Sequence, residues 1–330
     1  MPRKKDTDYA AVSAWLHVLE NRLLTRERME QLLEAREDGE CLKIMADCGY
    51  PEPAALTLTD LEASLAQAQA ELFAELGKAL DEPDVLAVFQ VKYDYHNAKA
   101  LIKSQARDAD PQRLLVAGGR YDKTALAEGF RTGNVEGVSD TFREALWAAK
   151  DLLATSTDPQ QADFLLDKAC YGEMLAHAKA TKAEFLIGYV KRSIDSLNLR
   201  TVVRALRAQR SRELLKTALI PGGTVAVETL AQANGPALPA LFPKELQEAA
   251  AEGAALLEGQ GSMTAFERLC DNAVARYIQT ARRVPFGVEV PVGYLFARQS
   301  ELTALRIILS GRLAGLEKDT IRERLRDAYV

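Results

Sequence analysis

The sequence predicts an all-α protein built from three similar helical domains, and three observations carry that expectation. Alternating strand patterns are almost absent along the 330 residues, whereas capping signals recur ahead of apolar runs with helical spacing. A ten-residue line is written twice, as "DYHNAKALIK" over 94–103 and "DSLNLRTVVR" over 195–204, each an acid, an Asn three on, a base, an apolar pair and a second base. A fainter copy, "ELTALRIILS" over 301–310, keeps an acid at Glu301, a base at Arg306 and the apolar pair Ile308 and Leu309. The acids are 101 and 106 residues apart. At this chain length the near-even spacing favours three domains over one large core.

In chain order, the first helix is expected over 9–37 and the second over 56–79, where Thr59 and Glu62 form a capping box. The helix over 84–106 carries the first copy of the line. After a helix over 135–153, Asp158-Pro159 supplies an N-cap followed by proline for 159–180. Thr181 to Glu184 opens a long helix over 183–217 that bears the second copy. Helices follow over 243–258, over 263–284 behind the capping box Thr264 to Glu267, over 291–311 with the third copy, and over 317–329.

Glycine pairs punctuate the repeat. "VAGGRYDKTAL" (116–126) follows the first acid by about the interval at which "IPGGTVAVETL" (220–230) follows the second. Units that begin at these pairs span 1–117, 118–221 and 222–330, each closing with its acid-bearing helix. Upstream, "FLLDKACY" (164–171) and "FERLCDNAVARY" (266–277) place an Asp 28 and 30 residues before the acid, and unit one lacks that Asp. A period near one hundred is too long for a solenoid turn, which leaves triplicated small domains.

Composition narrows the function classes. Hydrophobic residues make up 48% and charged residues 27%, an ordinary globular balance. The net charge of −5, with both signs interleaved, gives no overall field for nucleic acid or an anionic membrane. The N-terminal "MPRKKDTDYAAV" has no apolar stretch behind its charges, so no secretory signal is expected and the location should be cytoplasmic. The longest uncharged run, Thr229 to Pro243, contains Asn234, Gly235 and three prolines, so it should not span a bilayer. Cysteines at 41, 48, 170 and 270 show no metal-ligand spacing and the histidines at 17, 96 and 177 are isolated. Reduced, mostly buried thiols are expected, and no metal, cofactor or catalytic residue is assigned.

At 100° per residue, Asp94, Asn97, Ala98, Leu101 and Ile102 fall on one side of their helix, with Lys99 and Lys103 opposite. Asp195, Asn198, Leu199, Val202 and Val203 repeat the placement against Arg200 and Arg204. The acid therefore lies within the apolar stripe, where a carboxylate needs donors, since an unpaired one in a low-dielectric seam costs several kcal/mol. Backbone N–H groups, a Tyr hydroxyl or a neighbouring Arg would serve. Proton chemistry or metal binding is the functional alternative, but an acid recurring at equivalent places in three domains is a poor way to build one site.

"KYDYHNAKALIKS" (92–104), "IDSLNLRTVVRA" (194–205) and "PVGYLFARQSELTALRIILSGRLAGLEKDTIRERLRDAYV" (291–330) resemble the C subunit of V-type and A-type ATPases, the counterpart of the eukaryotic d subunit. The third unit departs from the pattern, with Ala304 at the Asn position and Ser310 at the second basic one. The resemblance implies three helical domains around a pseudo-threefold axis forming a funnel, seated on the cytoplasmic face of a membrane rotor ring and receiving the central stalk. Such a protein catalyses nothing itself and passes torque between the ATP-driven shaft and the ion-carrying ring, a peripheral membrane contact made through protein.

Two stretches invite other functions. "AGGRYDKT" (117–124) approaches a nucleotide-binding loop but has Ala117 and Asp122 at its two glycine positions, and an acid there would repel phosphate. A helix N-terminus behind a Gly-Gly hinge fits better. Arg200, Arg204 and Arg207 lie within about 60° on their helix and form a candidate contact for an acidic partner. The alternative function is thus an all-α adaptor that binds an acidic partner or nucleic acid through this Arg-rich helix. Without interleaved aromatics, a protein partner ranks above nucleic acid. An all-α isoprenoid synthase is disfavoured by the absence of any Asp-Asp pair.

Overall fold

A computed structural model describes residues 4–156 and 158–330, and no strand occurs among them. The helices are α1 (Ala10–Glu20), α2 (Arg26–Glu34), α3 (Asp38–Asp47), α4 (Leu58–Ala79), α5 (Pro83–Ala106), α6 (Lys123–Thr132), α7 (Asp140–Thr155), α8 (Gln160–Thr181), α9 (Glu184–Arg207) and α10 (Arg212–Ala218). They continue with α11 (Val227–Ala231), α12 (Leu238–Leu241), α13 (Lys244–Leu257), α14 (Met263–Gln279), α15 (Glu289–Leu313) and α16 (Lys318–Arg324).

Local chemistry explains where the elements differ from expectation. The stretch 9–37 is two helices, because the chain turns after α1 and Thr25 starts α2 by accepting the Arg28 N–H. The stretch 183–217 also breaks: Gln209 takes a left-handed φ of 52° and Ser211 caps α10 through the Leu214 N–H. Helix α4 starts from Thr57, which receives the Asp60 N–H, and α14 from Ser262, which receives the Ala265 N–H. Each cap lies two residues before the one expected, because the capping hydroxyl must sit on extended backbone just outside the helix. Thr181 instead closes α8, donating to the Ala178 carbonyl and receiving the Ala183 N–H. Helices α3, α11 and α12 are additional, α6 starts where a helix N-terminus was expected behind the first glycine pair, and α16 stops at Arg324 rather than near 329. Asp122 caps α6 through the Thr124 and Ala125 N–H groups, directly behind the first glycine pair.

Three pairs of consecutive helices, α4–α5, α8–α9 and α14–α15, organise the chain. The second helix of each pair packs on the first helix of the next: α5 on α8, α9 on α14, and α15 back on α4. Apolar burial follows this exchange. Leu24 to Ala68 share one hydrophobic cluster with Leu302 to Ile321, from opposite ends of the sequence. Leu199 to Ala273 form a second, and the third gathers α5, α7 and α8 with parts of α1, α9 and α15. All four cysteines are buried and unpaired.

Candidate functional site: three repeated joints

Each acid-bearing helix receives a loop from elsewhere in the chain. Asp94, fully buried, accepts from Arg120 Nε at 2.7 Å and from the Tyr121 N–H at 3.3 Å. Asp195, equally buried, accepts the Thr224 N–H at 2.9 Å and the Thr224 hydroxyl at 2.5 Å. Glu301, 4% exposed, accepts the Tyr50 hydroxyl at 2.6 Å, Arg298 Nη1 at 2.8 Å and the Leu24 N–H. The first two loops come from the glycine pairs, and the third is supplied by the turn between α1 and α2. A Cβ on Gly119 or Gly223 would collide with Oδ1 of Asp94 or Asp195, so the backbone reaches its carboxylate only because these positions lack a side chain.

The asparagines add a second clasp one turn along. Asn97 Nδ2 donates to the Val116 carbonyl at 3.0 Å while its Oδ1 accepts the Val116 N–H at 2.9 Å. Asn198 does the same to Ile220, at 2.8 and 2.9 Å. Both amides engage one residue's N–H and C=O together, which holds the loop in register against the helix. Ala304 cannot do this in the third unit.

The bases on the other side close a parallel circuit. Lys99 binds Asp167 of α8 at 2.6 Å, Arg200 pairs with Asp271 of α14 at 3.1 Å, and Arg306 binds Glu62 of α4 through two N–H groups at 2.7 and 2.9 Å. The second bases repeat it, Lys103 with Asp163 and Arg204 with Glu267. Where Ser310 replaces the second base, Leu58 stands four residues before Glu62, so base and acid are lost together. Glu62 thus occupies the position of the Asp that unit one lacks. The contacts run from α5 to α8, from α9 to α14 and from α15 back to α4. Arg207 is exposed, with no ion pair among the described residues.

Electrostatics follow from burial. Desolvation raises the Asp94 carboxyl to about 6, with Arg120 opposing, and also raises Asp195 and Glu301. Arg120 reaches further, to Glu173 at 2.9 Å and to His177 Nε2 at 2.9 Å. As the guanidinium can only donate, His177 Nε2 accepts and its Nδ1–H donates to Asp84 at 2.6 Å. The Glu173 carboxyl is lowered: burial pushes it up, but Arg120 and Ser139 outweigh that. Arg120, Glu173, Thr224, Tyr50 and Leu24 escaped sequence reading; Arg120 and Thr224 had a signal, each standing directly after a glycine pair.

Among the described residues no group of three or more His, Cys, Asp and Glu side chains is placed to hold a metal ion, and no helix is long and apolar enough to cross a membrane. In the loop that resembled a nucleotide-binding motif, Gly119 lies against Asp94 and Gly118 against Gln69, while Asp122 caps α6. The sequence profile of the ATP synthase (C/AC39) subunit family matches residues 12–324. The chain belongs to that family. Among curated members, the C subunit of the V-type sodium ATPase of Enterococcus hirae is 22% identical over 274 residues, spanning 82% of this chain and 83% of the relative. The C subunit of the A-type ATP synthase of Desulfurococcus sp. is 25% identical over 333 residues, spanning 97% and 91%. That of Thermococcus kodakarensis is 24% identical over 342 residues, spanning 97% and 90%. The chain is therefore similar over most of its length to C subunits of a V-type sodium ATPase and of A-type ATP synthases.

Proposed function

We propose that the chain is a non-catalytic central-stalk subunit of a V/A-type rotary ATPase. Its three repeat units, 1–117, 118–221 and 222–330, form a funnel about a pseudo-threefold axis, although adjacent units exchange packing helices. The funnel joins the central rotor shaft to the membrane ring that carries protons or sodium ions, and transmits torque between them from the cytoplasmic face. Partners are the stalk subunits and the ring, and membrane contact runs through protein.

The observation that carries this reading, beside the family, is the closed circuit of joints. A part that passes torque is sheared about its axis, and an open row of three domains would yield at its free ends. Here unit three is tied back to unit one by Glu301 with the Leu24 N–H and Tyr50, and by Arg306 with Glu62. The buried acids fit the role of anchors that fix each loop to the next unit's helix. Of the candidate contact Arg200, Arg204 and Arg207 on α9, Arg200 is taken up by Asp271 and Arg204 pairs with Glu267, so the exposed Arg207, with Arg204 beside it, is where a partner protein would be engaged.

The test is to delete the chain from its complex. ATP hydrolysis by the soluble sector should persist while ion pumping stops, and restoring the chain should recover coupling. The isolated protein should hydrolyse no ATP; stoichiometric hydrolysis abolished by Lys123→Ala would refute the non-catalytic assignment.

A further inference from the structure

A cavity of about 340 Å³ lies where α5, α8, α9, α14 and α15 meet the C-terminal segment, so its wall draws on all three repeat units. Its volume is that of a small-ligand site, about 300–1,000 Å³. Lys92 of α5 enters it without a carboxylate: its Nζ donates to Gln299 Oε1 at 2.5 Å and makes no ion pair among the described residues. Gln299 is 8% exposed, and its Nε2 is buried without a partner, as is Nε of Arg200 on the same wall.

Two of the wall's three carboxylates are already engaged. Asp271 is held by Arg200 at 3.1 Å and by Arg326 at 2.7 Å, and Glu301 belongs to the third joint. Asp327 also lines the cavity but is exposed. What remains is an ammonium whose acceptor is the neutral Gln299 Oε1, and two buried N–H donors, on Gln299 and Arg200, without partners. Buried donors and a desolvated ammonium are costly unless an acceptor is supplied. Burial holds the Lys92 ammonium down to about 8, a cost that a neighbouring negative charge would offset. Aromatic rings also line the wall, Tyr171, Tyr189, Phe296 and Tyr329 beside the hydroxyls of Ser193, Ser196 and Thr303, with Tyr189 and Phe296 edge to face and their centroids 6.0 Å apart.

We propose that this cavity binds a small organic oxyanion, a carboxylate or phosphate carried on an aromatic body, with Lys92 and the Gln299 amide donating to the oxygens and the tyrosine and phenylalanine rings flanking the body. This site is independent of the reading of the chain as a stalk subunit. A ligand there would touch one long helix from each unit, at the point where the three meet.

The experiment is calorimetric titration of the full-length protein at low salt and near-neutral pH with phenyl phosphate, benzoate, inorganic phosphate and benzylamine. Phenyl phosphate or benzoate should bind saturably with a Kd below about 1 mM, and at least about tenfold more weakly to Lys92→Met and to Gln299→Leu. Lys103→Met, outside the cavity, should bind as wild type, and the cation benzylamine should not bind. The carboxylate and phosphate probes decide which oxyanion is preferred. Should Lys92→Met fail to fold, Gln299→Leu decides. If neither aromatic anion binds saturably, as for a cavity filled by water alone, or if both variants bind as wild type, the site is refuted. Inorganic phosphate binding as tightly as phenyl phosphate would refute the aromatic part.

Discussion

At the scale of the residue, the repeated acids are buried charges whose donors come from another part of the chain. Asp94→Ala leaves Arg120 Nε and the Tyr121 N–H without their acceptor, and Asp195→Ala does the same to Thr224. Each should cost about 1–3 kcal/mol or more, read from denaturant unfolding, since charge-assisted bonds lie at the strong end. A variant that unfolds at the wild-type denaturant concentration would show that the acid is no anchor. Asp94 also sets a pH dependence. Its carboxyl is raised by burial from 3.8 to about 6, so between these values the folded protein holds more protons than the unfolded chain. Its contribution to stability is complete below about pH 4 and is lost as pH rises towards about 6. Melting temperatures of wild type and Asp94→Asn, measured across that window, should therefore diverge, with wild type losing ground as pH increases. Parallel curves would rule this out.

At the scale of the element, the same helices are joined by ion pairs of graded exposure. Arg306 and Glu62 are 46% and 49% exposed, so a double-mutant cycle should return a coupling of only about 0–1 kcal/mol despite two N–H bonds. Lys99 with Asp167 and Arg200 with Asp271 are more enclosed, at 26% and 37% and at 24% and 33%. Their cycles should give larger couplings, weaker in high salt, and Asp271→Ala should exceed Arg200→Ala because it also releases Arg326. Equal couplings at all three places would mean that exposure does not govern these pairs. Lys99 and Lys103 show what a helical projection leaves out: the side opposite the apolar stripe faces the acids of α8.

At the scale of the whole molecule, the third joint links residues 277 apart in sequence, Leu24 and Glu301. If the ring of contacts is one cooperative unit, Glu301→Ala should speed amide exchange in α15 and in the α1–α2 turn together, and leave the Asn198 clasp on Ile220 less affected. Acceleration confined to α15 would mean that the turn is held by other contacts. Assembly is a separate readout. Arg207→Glu should leave the melting temperature of the isolated chain unchanged and loosen its association with partner subunits, most at low salt.

The helical class, the three long acid-bearing helices and the burial of Asp94 and Asp195 were legible in the sequence because each depends on neighbours three or four residues away. Helical periodicity decides which side of α5 or α9 meets the core, whatever packs there. The breaks at 21–25 and 208–211 were less legible, since a capping hydroxyl and its helix compete with equally plausible caps two residues along. The donors were settled only by tertiary structure. Arg120, Thr224 and Tyr50 lie 26, 29 and 251 residues from the acids they serve, and periodicity carries no information over such distances. Nor could sequence show that Glu62 stands in for the missing Asp or that the α1–α2 turn replaces a glycine pair. Those pairings depend on where the third helix meets the first unit, which is fixed by packing the two ends of the chain into one hydrophobic cluster.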